Sequence, residues 1–152
     1  MSLQEEVEIL RQIPLFAKLE PAKLKLLAFT SQRLSFEAGQ ALFNQGEAGD
    51  SAYIVIDGEA EVSIDAPTGR IAIATIGRHA IIGEIAILCD VPRTATVTAK
   101  TKLLTLRIDK DTFFRLITEF PQMAVEIMRE LAHRLEQTNQ QLRAALAPPR
   151  SS

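Results

Sequence analysis

Apolar residues recur along this chain with two periods, and the switches between them mark out its elements. Val7 and Leu10, with Leu3 as a further position, step at helical spacing through an acidic first turn. That pattern stops at Ile13-Pro14, because proline disfavours helix in the residue before it. Leu15-Phe16-Ala17-Lys18-Leu19 then makes an apolar elbow, and Pro21 suits the first position of a second helix with Leu24, Leu27 and Ala28 as its buried stripe. From Arg33 onward the period falls to two, in short β-rich runs at 33–36, 41–44, 53–56, 61–64, 70–76, 94–99 and 102–108. Turn sequences punctuate them: Glu-Ala-Gly at 37–39, Gln-Gly-Glu-Ala-Gly-Asp at 45–50, Asp-Gly at 57–58 and Pro-Thr-Gly at 67–69. Many short strands with closely spaced turns predict a barrel or jelly roll.

After Ile108 the helical period returns. Asp109 or Asp111 can cap a helix carrying Phe113, Phe114, Leu116 and Ile117, which breaks near Pro121. A longer helix follows to about Leu146. Its apolar positions Ala124, Met128, Leu131, Leu135, Leu142 and Ala145 form a heptad seam, interrupted at Thr138. A polar residue in such a seam can do no more than set register.

Packing does not explain the stretch 82–96, Ile-Gly-Glu-Ile-Ala-Ile-Leu-Cys-Asp-Val-Pro-Arg-Thr-Ala-Thr. Ile85, Ile87 and Leu88 are apolar at helical spacing, and Gly83 ahead of them lets a strand turn sharply into a helical turn. The first N–H groups of that turn have no intrahelical partner and attract an anion. Glu84 beside them requires a further positive charge, which Arg93 supplies. Its planar guanidinium fits two phosphate oxygens, Pro92 stiffens the return of the chain, and Thr94 adds a hydroxyl. Charge-assisted hydrogen bonds of roughly 1.5–3 kcal/mol each would support about 8 kcal/mol, a micromolar ligand. A carboxylate is a poor phosphate ligand but a good ribose ligand, so Glu84 favours a nucleotide over inorganic phosphate.

Composition removes other classes. With 152 residues, the chain fits one domain with a proper core. A net charge of −2 gives no electrostatic footprint for nucleic acid or an anionic membrane. The single cysteine, Cys89, excludes an internal disulfide framework, and no apolar run approaches the roughly 18 residues that span a bilayer. The start, Met-Ser-Leu-Gln-Glu-Glu, lacks the features of a signal peptide, so a soluble, cytoplasmic protein is expected. His79 and His133 are the only histidines and fall in different segments, so no metal site is expected. Serine-nucleophile, paired-acid and glycine-rich mononucleotide motifs are absent, and no enzymatic reaction is expected.

At Gly83, Glu84, Ala86, Arg93, Thr94 and Ala95 the chain resembles the phosphate-binding cassette of the cyclic nucleotide-binding domain family. Gly39-Gln40, Gly46-Glu47 and the run 53–58 extend the likeness over nearly the whole chain. Isoleucine at 82, where the family commonly has an aromatic, is a mild departure. The nine positions from Glu84 to Arg93 match the spacing in protein kinase regulatory subunits and bacterial channel domains of the family. The resemblance implies a mainly β fold with flanking helices: an eight-stranded β-roll, or jelly-roll barrel, with N-terminal helices and a long C-terminal helix. Residues 1–146 would form the domain, divided into a helical segment at 1–30, the β-roll at 31–108 and helices at 109–146, with 147–152 as linker or tail. It further implies that Glu84 binds the ribose 2′-hydroxyl and that Arg93 and Thr94 bind the cyclic phosphate. The amides of Gly83, Ile85 and Ala86, between Ile82 and the helix, would complete the cradle.

The sequence 131–139, Leu-Ala-His-Arg-Leu-Glu-Gln-Thr-Asn, resembles the long helix of the family's transcription activators, which pairs with its twin. By that resemblance Thr138 is the candidate base contact, and Asn139 reaches in from a partner subunit of a homodimer. The ligand expected is cyclic AMP, with cyclic GMP left open because a hydroxyl at Thr94 can also reach a guanine amino group. The activators carry a helix-turn-helix reader after this helix, for which the stretch 147–152 has no room, so direct DNA binding is not expected. A family-fold dimerisation or interaction module with an idle pocket, and the regulatory piece of a larger channel, transporter, transcription factor or enzyme, are the rival readings.

Overall fold

The computed structural model describes residues 2–147. The chain divides into two compact units, Met1–Arg115 and Leu116–Ser152.

The first unit opens with α1 (Leu3–Arg11) and α2 (Pro21–Thr30). Ser2 caps α1 by accepting the Glu5 N–H at 3.2 Å, and Val7 and Leu10 are its buried positions. Pro21 starts α2, whose buried stripe is Leu24, Leu27 and Ala28. Ile13, Phe16 and Leu19 between the helices are also buried, which accounts for the apolar elbow.

Eight strands follow: β1 (Gln32–Phe36), β2 (Ala41–Phe43), β3 (Ser51–Asp57), β4 (Ala60–Ala66), β5 (Gly69–Ile76), β6 (Ile81–Ile82), β7 (Thr96–Ala99) and β8 (Leu103–Asp109). They form two antiparallel four-stranded sheets, ordered β1-β8-β3-β6 and β2-β7-β4-β5, which is the strand order of a jelly roll. The inner faces meet in a core of Tyr53, Val55, Ala60, Ile82, Val97, Ala99 and Leu103, flanked by Leu34, Phe36, Leu42, Phe43, Val62 and Ile76. β3 is buried along almost its whole length, because it lies between β8 and β6 in its sheet.

The strand absent from the sequence pattern is β6. It holds two residues, Ile81 and Ile82, paired with Ile54 and Tyr53, and two residues cannot display a period. Between β6 and β7 lies α3 (Glu84–Cys89). Asp109 accepts the Thr112 N–H at 2.8 Å and so caps α4 (Lys110–Glu119), which runs across the boundary between the units.

The second unit continues into α5 (Pro121–Leu146). Phe120 precedes its proline in a non-helical conformation, so the break lies where proline disfavours helix. Only Met123 and Ile127 are fully buried on α5, while Met128, Leu135, Leu142 and Leu146 are exposed. No helix among the described residues is long and apolar enough to cross a membrane. No group of three or more histidine, cysteine, aspartate or glutamate side chains able to hold a metal ion occurs among them either.

Candidate functional site

The site grows from the turn between β6 and α3. Gly83 is left-handed, with φ 88°, a conformation that costs an L-residue roughly 1–2 kcal/mol. A side chain there would also run into the Arg93 guanidinium, the Phe43 ring and the Ser51 carbonyl. Glycine is therefore required twice over, by torsion and by space. No side chain caps α3.

The buried face of α3 matches its aliphatic residues only in part: Ile87 is buried and Leu88 half-buried, but Ile85 is not. Glu84, Ala86 and Ile87 are buried, with Glu84 only 2% exposed, whereas Ile85 is 39% exposed. The reason is the close approach of the loop before β3. A Cβ on Gly49 would overlap that of Ala86, so only small residues at both positions let the loop and the helix meet.

The same loop fixes Arg93. Its N–H donates to the Glu47 carbonyl and its carbonyl accepts the Gly46 N–H, both at 2.8 Å. The Arg93 side chain, 4% exposed, runs inward. Nη1 donates to the Gly83 carbonyl at 2.9 Å and Nη2 to the Ser51 carbonyl at 2.8 Å. The guanidinium carbon lies 4.0 Å from the centroid of the Phe43 ring, within cation–π range. Phe43 in turn meets Tyr53 at a centroid distance of 6.0 Å, and Tyr53 meets Phe36 edge-on at 6.3 Å. Nε of Arg93 is buried with no hydrogen-bond partner among the described residues.

The Asp50 carboxylate lies 4.0 Å from Arg93 Nη2, the outer limit of an ion pair. It sits closer to Arg107, at 3.3 Å, accepts the Ser51 hydroxyl at 3.0 Å, and is 74% exposed on its side chain. Burial pushes the Arg93 guanidinium below its ordinary pKa; Tyr53, Asp50 and Glu47 oppose that shift, and Arg107 adds to it. The outcome is a desolvated cation held mainly by neutral groups, with a solvated acid at the edge of reach.

Of the residues read from the sequence, Ile82, Gly83, Glu84, Ile85, Ala86, Arg93, Thr94 and Ala95 all fall in the first unit, on β6, α3 and the segment entering β7. Ile82 is buried and paired with Tyr53, Thr94 is exposed and Ala95 is half-buried. Thr138 and Asn139 belong to the second unit, on the exposed C-terminal half of α5. The Thr138 hydroxyl donates to the Arg134 carbonyl at 2.9 Å, one turn back on its own helix. Phe43, Asp50, Ser51, Tyr53 and Gly49 surround the arginine or its turn and form no local motif. Phe43 and Tyr53 lie in the apolar runs at 41–44 and 53–56, and Gly49 and Asp50 in the loop at 45–50, but nothing in those stretches tied them to Arg93.

Two sheets in jelly-roll order, with a short helix and a buried arginine between the sixth and seventh strands, define a β-roll built around an internal cation. The model of the cyclic nucleotide-binding domain matches residues 33–120. The CRP-like cAMP-activated global transcriptional regulator of Mycobacterium tuberculosis is 34% identical over 136 residues, which cover 89% of this chain and 61% of the regulator. The cAMP-dependent protein kinase regulatory subunit of Yarrowia lipolytica is 41% identical over 108 residues, 71% of this chain and 28% of that subunit. The crystal structure of the Thermus thermophilus catabolite activator protein superposes with a TM-score of 0.76 at 26% identity, over 87% of this chain and 62% of that one. The chain belongs to the cyclic nucleotide-binding domain family. These relatives are regulators and regulatory subunits, and the chain spans less than two thirds of either curated one.

Proposed function

We propose that this chain is a non-enzymatic sensor of a cyclic mononucleotide, cyclic AMP in the first place and cyclic GMP as the alternative. The observation that carries the reading is Arg93. A buried guanidinium with two carbonyl acceptors, an Nε without a partner among the described residues and the exposed Asp50 carboxylate 4.0 Å away is an incompletely compensated cation. A phosphodiester arriving at it supplies the missing charge. Arg93 and Thr94 take the cyclic phosphate, together with amides of Gly83, Ile85 and Ala86, while Ile82 and Ala95 flank the cradle and Glu84 takes the ribose 2′-hydroxyl. The two relatives whose names include cAMP support the choice of ligand.

In this account phosphate capture repositions α5, and Thr138 and Asn139 supply the base contacts. Thr138 would exchange its bond to the Arg134 carbonyl for one to the base. A ligand shifts an equilibrium only by its differential affinity, so these contacts must exist in one state alone. The exposed Met128, Leu135 and Leu142 fit a homodimer through α5, and a cytoplasmic location fits a nucleotide messenger. The partial coverage of both curated relatives leaves room for an effector beyond this chain, in the same protein or another.

Isothermal calorimetry with cyclic AMP and cyclic GMP tests the reading. Micromolar binding of one of them is expected, and no heat from either at several hundred micromolar would overturn it.

A further inference from the structure

Resting on that reading, we infer that Phe43 is a positioning residue for the phosphate-binding arginine, and that a bulge in β2 exists to place it there. Ala41 pairs with Thr98 but Phe43 pairs with Val97, so Leu42 is an extra residue in the β2–β7 ladder. An unbroken ladder would set Phe43 opposite Thr96. Instead the Thr96 hydroxyl accepts the Gln45 N–H at 2.9 Å, and the bulge turns the phenyl ring toward the guanidinium. The ring then forms one wall of the seat, 4.0 Å from the guanidinium carbon, while the Gly83 and Ser51 carbonyls hold the two terminal nitrogens. A Cβ on Gly83 would touch both Arg93 Nη1 and Phe43, so the ring and the turn close on the arginine together.

The chemistry of this seat suits its task. A carboxylate under the guanidinium would neutralise it and compete with an incoming phosphate. Carbonyl dipoles and a ring face orient the cation without cancelling its charge. Tyr53, itself packed edge-on against Phe36, buttresses the ring from the core, so its plane is set by packing and not by the ligand. Phe43 acts through Arg93 and does not itself touch phosphate.

The test uses the whole chain and cyclic AMP. Phe43→Leu should weaken binding roughly 10-fold, as loss of a desolvated cation–π contact implies, while Phe43→Tyr, which keeps the ring, stays within about 3-fold of the parent. A structural role alone could produce the first result, so the deciding readout is the Arg93 side-chain Nε–H signal by NMR, recorded without nucleotide. It should be protected from solvent exchange in the parent and in Phe43→Tyr, and unprotected in Phe43→Leu. Unchanged affinity in Phe43→Leu, or weakened affinity with the Nε–H still protected, would overturn the inference. Should Phe43→Leu fail to fold, Phe43→Met is read by the same criteria. If the parent chain binds no nucleotide, the sensor reading falls, whereas the Nε–H comparison still decides whether Phe43 seats the arginine.

Discussion

Arg93 is buried where an arginine without a full counterion is costly, and the Gly83 and Ser51 carbonyls and the Phe43 ring limit that cost without removing its charge. Arg93→Ala should therefore weaken cyclic AMP binding by roughly 100-fold, about the worth of one strong charge-assisted contact. Arg93→Lys keeps a charge but loses the fork, so calorimetry should place it between the alanine variant and the parent. Equal affinity across all three would remove the phosphate assignment. Gly83→Ala faces both a left-handed torsion and a collision with Arg93 and Phe43; it should lower unfolding free energy by about 1–2 kcal/mol and weaken binding too. A Gly83→Ala variant with parent-like denaturation and affinity would show that the turn tolerates a side chain. The pair Glu84 and Arg93 was legible because both lie in one short stretch. Phe43, Ser51 and Asp50 were not, because the fold brings them to Arg93 from 42 to 50 positions away, and the Ser51 contact is a backbone carbonyl that any residue could provide.

At the scale of elements, α4 shows how a cap couples stability to pH. Asp109 accepts the Thr112 N–H, and hydrogen bonds from Thr112 hold its carboxyl below the usual value of 3.8, with smaller help from Arg107 and Arg115 against a small opposing effect of burial. A carboxyl depressed in the folded state adds stability that is complete above its unfolded pKa and is lost as pH falls through the folded one. Asp109→Ala should cost about 1 kcal/mol at neutral pH by the usual worth of a helix cap. The gap between variant and parent in thermal melts should close on the acid side of pH 3.8. A gap that is constant with pH would mean that the carboxylate is not the capping group. The cap itself was readable as one of two aspartates, since only spacing to the first helical turn was at issue. The buried face of α3 was so in part. Of the aliphatic residues at 85, 87 and 88 only Ile87 is fully buried, and the fit of Gly49 onto Ala86 decided the rest from another part of the chain. Likewise β6 is defined by pairing with β3 and not by any pattern of its own.

For the whole molecule, short apolar runs broken by closely spaced turns were enough for a barrel or jelly roll, although β3 is buried on both faces and β5 is exposed along nearly all its length. The order of the strands was not legible, since pairing between distant segments leaves no periodic trace. On α5 the seam at 128, 135 and 142 is apolar yet exposed, and a second copy is the occupant that the proposed homodimer requires. Leu135→Glu should therefore shift the sedimentation coefficient from dimer toward monomer, and an unaltered profile would remove α5 from the interface. Thr138→Ala should change the ratio of cyclic AMP to cyclic GMP affinity more than it changes binding as a whole. A ratio equal to that of the parent would deny Thr138 its part in reading the base.

The most direct trial of the account is a crystal structure of the chain grown with cyclic AMP. It predicts phosphate oxygens within hydrogen-bonding distance of the Arg93 guanidinium and of amides at the start of α3, with Glu84 against the ribose. A nucleotide bound elsewhere, with the Arg93 guanidinium remote from any phosphate, would contradict it.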